Sequence, residues 1–286
     1  MHPCSLIPCS LINGVPGDLL AISDRGLQYG DGLFETIAVR HGVCEFWERH
    51  LQRLFEGCTR LRIPLPDSAL LTTEAQRLTH AVERAVLKII ITRGSGGRGY
   101  RIPDSVQPTR ILICTDEPDH PHGNAQTGVR VRICTHTLGN HPALAGLKHL
   151  NRLDQVLARM EWADPDIAEG LLQDQTGRVI EGTYTNIFIV QQGRLLTPAL
   201  NACGVAGVMR AVVLELATAA GIDCTERAVS LEDLYSAEEL FLTNSLIGIW
   251  PVRELNHWRG SRGPLTSSLQ TALDHLRQPT SRDTHD

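Results

Sequence analysis

The sequence predicts a mixed α/β protein of the α+β type, built from two domains. Its 286 residues exceed the roughly 150 of one typical domain, and 42% of them are hydrophobic. Strand-like runs alternate with amphipathic helical patterns on both sides of residues 116–127, a break rich in proline, histidine and aspartate. We therefore expect a smaller α+β domain over residues 1–115, a linker over 116–127 and a larger domain over 128–286 that is frayed from residue 278 onward.

The first half begins with strands and continues with two helices. A turn at His41-Gly42 joins two strand-like runs and predicts a hairpin. Apolar residues recur at three- and four-residue spacing over residues 47–61, which predicts a helix that Pro64 ends. A second helix is expected over residues 67–86. The predicted strands are Leu11–Asn13, Leu19–Ile22, Leu33–Val39, Val43–Phe46, Leu87–Thr92 and Arg110–Thr115.

The second half continues with a hairpin series and further helices, without an internal repeat. Apolar spacing predicts helices at Leu150–Met160, Val208–Ala220 and Leu265–Leu276. The other ordered segments expected here are Val129–Thr135, Leu171–Asp174, Val179, Asn186–Val190, Leu195–Thr197, Val229–Tyr235, Leu240–Thr243 and Ile247–Val252.

Composition and charge exclude several classes of function. The formal net charge of -5 does not supply the positive field that nucleic acids and anionic membranes require. No apolar run approaches the roughly 18 residues of a membrane span, and residues 1–9 lack the features of a signal peptide. The eight cysteines are scattered without a CxxC pair, which predicts reduced thiols. We expect a cytoplasmic protein without a nucleic-acid or membrane partner.

The lysines are the most informative residues of the composition. Of the 27 basic residues, all but Lys88 and Lys148 are arginines. Only a lysine can form a Schiff base with an aldehyde, because arginine stays protonated at neutral pH. Alternation within the apolar run 86–91 predicts that Lys88 faces solvent or the rim of a site. Lys148 follows small residues and precedes a predicted helix, where it is either a catalytic amine or an ordinary surface lysine.

The neighbours of Lys148 favour the catalytic interpretation. Pyridoxal phosphate requires a lysine for its aldehyde, an acid beside the pyridine nitrogen and donors for its phosphate. Glu181 can supply the acid, unless it is a charge at the rim of a hairpin. Residues 204–210 lead into a helix whose first amides can bind phosphate, and Arg53 can add a bidentate contact. Each of these features also has an ordinary structural explanation.

A glycine-rich loop at residues 93–100 predicts a site for substrate carboxylates. Its glycines allow the backbone to approach a ligand, and Arg93, Arg98 and Tyr100 provide donors. No Gly-Lys-Ser/Thr follows, which excludes a Walker A loop. The histidines at 120 and 122 lie among prolines without a third ligand, so no metal site is expected.

Several motifs together resemble the class IV family of pyridoxal-phosphate-dependent aminotransferases. The resemblance covers about residues 11–277. Within the family, residues 93–100 and 145–153 resemble those of the aminodeoxychorismate lyases. The motifs that carry the resemblance are Ser23-Asp24-Arg25-Gly26-Leu27-Gln28-Tyr29-Gly30-Asp31-Gly32-Leu33-Phe34-Glu35-Thr36, His50-Leu51-Gln52-Arg53-Leu54, Lys148, Glu181 to Asn186 and Gly204 to Arg210.

The resemblance implies a two-domain class IV aminotransferase-like fold, a homodimer, and pyridoxal 5'-phosphate at the domain boundary with the larger domain binding it. Lys148 would be the aldimine lysine, and Glu181 would face the ring nitrogen. The residues implied at the phosphate are Arg53, Gly207, Val208, Met209, Asn244 and Ser245.

For the substrate, the resemblance implies contacts by Arg98 and Tyr100, and the two carboxylates of the substrate also give Arg152 a potential partner. Thr36 could assist proton movement, although an ordinary strand threonine is an alternative. Many transaminating relatives have tyrosines where this chain has Phe34 and Leu153, which changes how substrate is held and favours a lyase.

The expected activity is the elimination of pyruvate from 4-amino-4-deoxychorismate to give 4-aminobenzoate for folate biosynthesis, through a pyridoxal-phosphate aldimine. A D-amino-acid or branched-chain aminotransferase is the first alternative, since it would use the same lysine and cofactor. A non-catalytic anion-binding protein built around residues 93–100 is a more remote alternative.

Overall fold

The computed structural model describes residues 9–121 and 123–277, which form two compact units. Unit 1 comprises the chain up to Asp119 together with Leu147–Asn151, and unit 2 comprises His120–Gly146 and the chain from Arg152 onward. The division thus falls inside the segment predicted as a linker, while residues 147–151, assigned to the larger domain from sequence, belong to unit 1. The expectations for residues 1–8, His122 and residues 278–286 lie outside the described residues.

Unit 1 is built on a six-stranded antiparallel sheet with the strand order β2-β1-β6-β5-β3-β4. Its elements are β1 (Ser10–Ile12), β2 (Val15–Pro16), α1 (Arg25–Tyr29), β3 (Gly32–Arg40), β4 (Val43–Cys44), α2 (Trp47–Leu61), α3 (Ser68–Thr79), β5 (Arg84–Thr92) and β6 (Thr109–Thr115).

The long pairing of β3 with β5 forms the centre of unit 1. Nine consecutive register pairs run from Gly32 with Thr92 to Arg40 with Arg84. Alternate residues of β5, including Leu87, Ile89 and Ile91, are fully buried, as the period of a strand requires. Helices α2 and α3 pack on this sheet, and Asp67 caps α3 by accepting hydrogen bonds from its first amides.

Two predictions of local structure in unit 1 were wrong. Residues 19–22 form no strand, because they have no strand to pair with, and Leu19 and Ile22 are 85% and 84% exposed. The second helix ends at Thr79 rather than near Val86, because from Arg84 onward the chain pairs with β3 and β6. Long-range pairing overrides the helical pattern there.

Unit 2 contains a nine-stranded mixed sheet with the order β12-β11-β10-β13-β14-β7-β8-β9, and β15 pairs with β14. Three neighbouring pairs are parallel: β11 with β12, β14 with β7, and β7 with β8. The elements are α4 (Asn124–Thr127), β7 (Val129–Leu138), α5 (Leu153–Arg159), β8 (Ile167–Asp174), β9 (Val179–Gly182), β10 (Asn186–Gln191), β11 (Arg194–Pro198), α6 (Val208–Ala219), β12 (Cys224–Arg227), α7 (Leu231–Tyr235), β13 (Glu239–Asn244), β14 (Gly248–Leu255), β15 (Trp258–Arg259) and α8 (Pro264–Arg277).

The core of unit 2 lies on the faces of β10 and β13. Ile187 and Ile189 belong to a large apolar cluster, whereas Phe188 projects from the alternate position and stacks on Phe241 of β13 with ring centroids 5.0 Å apart. Helix α5 starts at Leu153, later than the predicted Leu150, because residues 148–150 are in extended pairing.

Residues 9–121 and 123–277 contain no membrane-spanning helix, disulfide or metal-binding cluster. None of their helices is both long and apolar enough to cross a bilayer. The seven cysteines that they include are free thiols. Within the same residues, no cluster of three or more His, Cys, Asp or Glu side chains is arranged to hold a metal ion.

Asp24 yields a test of the polar core of unit 1. It is fully buried, and its carboxylate accepts hydrogen bonds from the Gly26 amide at 2.8 Å, the Thr92 hydroxyl at 2.9 Å and the Thr109 hydroxyl at 2.8 Å. Asp24→Ala should lower the free energy of unfolding by about 3 kcal/mol, because it leaves buried donors without acceptors. Urea denaturation measures this, with Asp18→Ala, an exposed aspartate, as the control; equal stability of both variants would contradict it.

Candidate active site

The backbone of residues 148–150 pairs with the beginning of β3 in unit 1. The Phe34 amide donates to the Lys148 carbonyl oxygen at 3.0 Å, and the Leu150 amide donates to the Gly32 carbonyl oxygen at 3.0 Å. A Cβ atom on Gly32 would collide with the Ile91 carbonyl oxygen and the Leu150 side chain, so this approach requires glycine. Lys148 therefore lies on an extended segment held by a sheet, not at the start of a helix.

The amine of Lys148 lies over an aromatic ring. Its Nζ atom is 4.2 Å from the centroid of the Phe34 ring, a cation–π distance. Thr36 projects to the same face of β3 as Phe34, and Lys88 of β5 lies directly opposite Thr36 in the register. The structure thus brings together Lys148 and Phe34, places Thr36 on the same face of β3 as Phe34, and confirms that Lys88 is exposed.

Glu35 projects to the other face of β3 and forms a buried ionic cluster with helix α2. Its Oε1 accepts from Arg53 Nε at 2.9 Å, its Oε2 contacts Arg53 Nη2, and His50 Nδ1 lies 2.6 Å from Oε2. Burial alone would raise the pKa of Glu35, but the Arg53 charge and the hydrogen bonds from His50 and Arg53 bring it to about 2. The carboxylate therefore stays ionised and orients the Arg53 guanidinium.

His50 is a member of this cluster that the sequence analysis did not assign a role. Burial lowers its pKa, while the hydrogen bond and charge of Glu35 act in the opposite direction, and the nearby charges of Arg53 and Lys148 lower the pKa further. The imidazole is thus preferentially neutral. The signals in the sequence were its place in the motif His50-Leu51-Gln52-Arg53-Leu54 and its position three residues before Arg53 on the same helix.

Two arginines that pair with Asp31, Arg25 and Arg93, fix the glycine-rich loop of unit 1, and the sequence did not predict this pairing. Arg93, expected to bind substrate carboxylate, is 5% exposed and donates to both carboxylate oxygens of Asp31 and to the carbonyls of Leu61 and Arg62. It is a structural residue, so its predicted role was wrong. Arg25 also pairs with Asp31.

The tip of the same loop is exposed. Arg25 Nη1 donates to the Gly99 carbonyl oxygen at 3.0 Å, which fixes the backbone of the loop at Gly99. Tyr100 is 84% exposed, with its ring edge-on to Tyr29 at 5.4 Å, and Arg98 is exposed. Both predicted substrate residues are therefore accessible from solvent.

In unit 2, Glu181 lies near the end of β9 and is buried. Its Oε2 accepts a hydrogen bond from the Val205 amide at 2.7 Å, which ties β9 to the segment that precedes α6. Arg152 is half-buried; burial lowers its pKa, and the charges of Glu181 and Asp154 partly offset this effect. Glu181 and Arg152 are thus electrostatic neighbours.

The segment before α6 is shaped by Asn186. Its Nδ2 donates to the Val205 carbonyl oxygen at 2.9 Å, and its Oδ1 lies where a Cβ atom of residue 207 would be, so that position requires glycine. Gly207 is the N-cap of α6, and no side chain caps this helix. By helix geometry, the first-turn amides beginning at Val208 and Met209 have no acceptor within the helix.

Two polar groups position the loops around this helix end. Asn244 Oδ1 accepts from the amides of Leu246 and Ile247, and its Nδ2 donates to the Tyr184 carbonyl oxygen at 3.2 Å, so it shapes the turn that contains Ser245. Glu169, which the sequence analysis missed, is fully buried on β8. It accepts hydrogen bonds from Gly170, Thr183, Tyr184 and Thr185.

Comparison with known proteins identifies the family. The model of amino-transferase class IV matches residues 32–255. This chain belongs to the class IV aminotransferase family. The matched region includes Phe34, Arg53, Lys148 and Glu181, and the predicted fold class is confirmed.

Individual relatives of this family member include both lyases and aminotransferases. Aminodeoxychorismate lyase of Vibrio harveyi is 39% identical over 268 residues, which cover 92% of this chain and 98% of the relative. D-alanine aminotransferase of Bacillus licheniformis is 28% identical, covering 89% and 90% of the two chains. The crystal structure of 4-amino-4-deoxychorismate lyase from Pseudomonas aeruginosa is 49% identical with a TM-score of 0.90, covering 93% and 98%.

The Glu35 cluster predicts a pH-dependent stability. Glu35→Gln should lower the free energy of unfolding by about 3 kcal/mol at pH 7, because the partly buried Arg53 loses its counter-charge. Since the pKa of Glu35 falls from 4.5 to about 2 on folding, the carboxylate contributes fully above pH 4.5 and loses its contribution as the pH falls toward 2. The difference from wild type should therefore shrink between pH 5 and pH 3.

Urea denaturation at pH 7, 5 and 3 measures this difference. Glu56→Gln, which changes an exposed glutamate on the same helix, serves as the control and should stay near wild type at every pH. A difference for Glu35→Gln that is independent of pH would contradict the assignment of the charge.

Proposed function

We propose that this chain is a pyridoxal-phosphate-dependent 4-amino-4-deoxychorismate lyase that releases pyruvate and 4-aminobenzoate. The observation that carries the proposal is the likeness to 4-amino-4-deoxychorismate lyase of Pseudomonas aeruginosa, at 49% identity over nearly the whole length of both chains. The lyase of Vibrio harveyi supports the same assignment. We further propose that the protein works in the cytoplasm, in folate biosynthesis, as a homodimer, with the smaller and larger domains predicted from sequence.

Each of the two units has residues that suit one part of the cofactor. Lys148 supplies the amine for covalent attachment, supported by its position over Phe34. Glu181 would hold the ring nitrogen, because a buried carboxylate fixed by the Val205 amide is suited to a cationic ring. The phosphate would be bound by Arg53, by the helix-start amides of Gly207, Val208 and Met209, and by the turn at Asn244 and Ser245. When bound, the cofactor withdraws electrons from the substrate carbon that carries the amine.

Lys148 would take the proton from this substrate carbon. The amine lies over the face of the Phe34 ring, and Thr36 on the same face of β3 could assist the movement of this proton. Loss of the neighbouring enolpyruvyl ether then produces an aromatic ring. Because the product is aromatic, elimination is favoured over the return of the proton to the substrate carbon.

The substrate carries two carboxylates, which require cationic partners in an acidic protein. We propose Arg98, Tyr100 and Arg152 as substrate-binding residues, with Phe34 bounding the site. The exposed loop tip supports the first two, and the half-buried guanidinium near Glu181 supports Arg152. An ion pair with a partly buried arginine is stronger than one at the open surface.

Aminotransfer is the second candidate function. A putative branched-chain-amino-acid aminotransferase of Methanocaldococcus jannaschii is 33% identical and covers 83% of each chain. The cofactor-binding residues proposed above would serve either reaction. The two activities differ in the fate of the substrate after proton removal, which an assay can resolve.

Replacement of Lys148 tests the cofactor assignment. Lys148→Ala and Lys148→Arg should both lower lyase turnover by about a thousandfold, because neither side chain can attach the cofactor or take the proton. Borohydride reduction followed by peptide mapping should mark Lys148 in the wild-type protein and no peptide in the variants. Cofactor trapped at another residue of the wild type would contradict the assignment.

Side-by-side assays test the reaction. The wild-type protein should form 4-aminobenzoate and pyruvate from 4-amino-4-deoxychorismate, with a kcat/KM at least about a hundredfold above that for amino transfer from D-alanine or leucine to a keto acid. Efficient amino transfer without 4-aminobenzoate would instead establish the aminotransferase.

A further inference from the structure

Glu169 on β8 is a fully buried carboxylate, and most of its hydrogen bonds come from the loop of residues 183–185, which follows β9. Its Oε1 accepts from the Thr183 amide at 3.0 Å and from the Thr183 hydroxyl at 2.6 Å. Its Oε2 accepts from the Tyr184 amide at 3.2 Å and from the Thr185 hydroxyl at 2.9 Å. Because a buried carboxylate is costly without donors, Glu169 and this loop stabilise one shared arrangement.

The loop of residues 183–185 leads to the turn proposed at the phosphate of the cofactor. The Tyr184 carbonyl oxygen accepts a hydrogen bond from Asn244 Nδ2 at 3.2 Å. Asn244 Oδ1 accepts from two backbone amides of the turn that contains Ser245, at 2.8 and 2.9 Å. A continuous series of contacts therefore runs from Glu169 through Tyr184 to Asn244 and its turn.

The fit of the loop around the carboxylate is close. A Cβ atom on Gly182 would lie 2.7 Å from the carboxylate carbon of Glu169 and 2.2 Å from the Thr185 hydroxyl oxygen, so no side chain can be added there without displacing one of them. The Gly182 amide donates to the Thr185 carbonyl oxygen at 2.7 Å, and the Tyr184 hydroxyl donates to the Ala168 carbonyl oxygen at 2.8 Å. A change at Glu169 is thus transmitted to the backbone of Tyr184.

We propose that Glu169 is a positioning residue for the phosphate of the cofactor, and that it acts through the Tyr184 carbonyl oxygen on Asn244. The inference rests on the proposed function, since it uses the roles proposed above for Asn244 and Ser245. Both oxygens of a carboxylate only accept hydrogen bonds, whereas a glutamine side chain would turn an NH2 group toward the donors of the loop. With glutamine the Tyr184 carbonyl oxygen is no longer fixed for Asn244, and the phosphate turn is less well preorganised.

Titration of the full chain with pyridoxal 5'-phosphate and with pyridoxal, which lacks the phosphate, tests this role apart from turnover. Glu169→Gln should raise the Kd of pyridoxal 5'-phosphate by about tenfold and change that of pyridoxal by less than about twofold, because only the first ligand uses the phosphate turn. Equal binding of pyridoxal 5'-phosphate by Glu169→Gln and wild type, or equal weakening of both ligands, would overturn the inference.

Asp174→Asn is the matched control for a loss of stability alone. Asp174 is a buried carboxylate on the same strand, and it accepts hydrogen bonds from Thr176 and from the Arg178 amide in the turn before β9. Its replacement should lower the free energy of unfolding, as Glu169→Gln should, but leave the Kd of both ligands as in the wild type. A weakening of pyridoxal 5'-phosphate binding equal to that of Glu169→Gln would contradict a specific role for Glu169.

A double-mutant cycle tests the route through Asn244. Glu169→Gln and Asn244→Ala should each raise the Kd of pyridoxal 5'-phosphate, and the double variant should show less than the product of the two fold changes, because both substitutions remove one shared interaction. Independent effects, whose fold changes multiply, would overturn the proposed route.

Thr183→Val supplies the same tests should Glu169→Gln not fold. It removes a single hydroxyl donor to Glu169 and should raise the Kd of pyridoxal 5'-phosphate by about threefold, whereas Thr183→Ser keeps the hydroxyl and should bind as the wild type does. Equal binding by Thr183→Val and wild type would overturn the inference. A wild type that binds pyridoxal 5'-phosphate yet forms no 4-aminobenzoate would instead overturn the proposed lyase and leave the role of Glu169 standing, because aminotransfer uses the same cofactor.

Discussion

The backbone pairing of residues 148–150 with the start of β3 is the interaction on which the site of unit 1 depends. Two hydrogen bonds, from the Phe34 amide and to the Gly32 carbonyl oxygen, attach this short segment to the sheet. These hydrogen bonds fix the backbone that carries Lys148 as a strand would be fixed, although residues 148–150 are not part of a long strand. The absence of a side chain at Gly32 is the condition for this approach.

Buried carboxylates hold the surrounding loops in a similar manner. Asp24 connects the segment before α1 to β5 and β6, Glu169 gathers the amides and hydroxyls of residues 183–185, and Glu181 secures the segment before α6. Burying a carboxylate is costly unless donors surround it, so each such residue enforces one arrangement of its loop. The irregular segments that carry the proposed site residues are therefore ordered by polar contacts rather than by apolar packing.

The sequence predicted the elements whose signal is local. The amphipathic spacing of α2, the Asp67 cap of α3 and the glycine-led start of α6 lie within single stretches of chain, and all three elements are present. Lys148 and Phe34 were recognised from motifs, but their contact depends on a pairing between residues more than a hundred positions apart. The roles of the cofactor and substrate residues remain predictions.

The errors have a common physical origin. Residues 19–22 are apolar enough for a strand but have no strand to pair with. Residues 84–86 continue the helical pattern of the sequence, yet they join the sheet because β3 and β6 pair with them. Arg93 and Arg98 belong to one loop, yet only Arg93 meets Asp31 and becomes buried. Composition cannot separate two arginines in one motif, because the difference lies in a carboxylate contributed by a distant segment.

The proposed site suits elimination in a member of the class IV aminotransferase family. Amino transfer needs a second proton delivery at a different carbon, and therefore a polar group that holds and returns the proton. Loss of an enolpyruvyl ether needs only the first proton removal, because the aromatic product draws the reaction forward. Phe34 places an aromatic face without a phenol beside Lys148, so the return of the proton would depend on the protonated amine of Lys148. A site with several carboxylate-binding cations, as proposed here, suits a dicarboxylate substrate, and the aromatic product favours its cleavage.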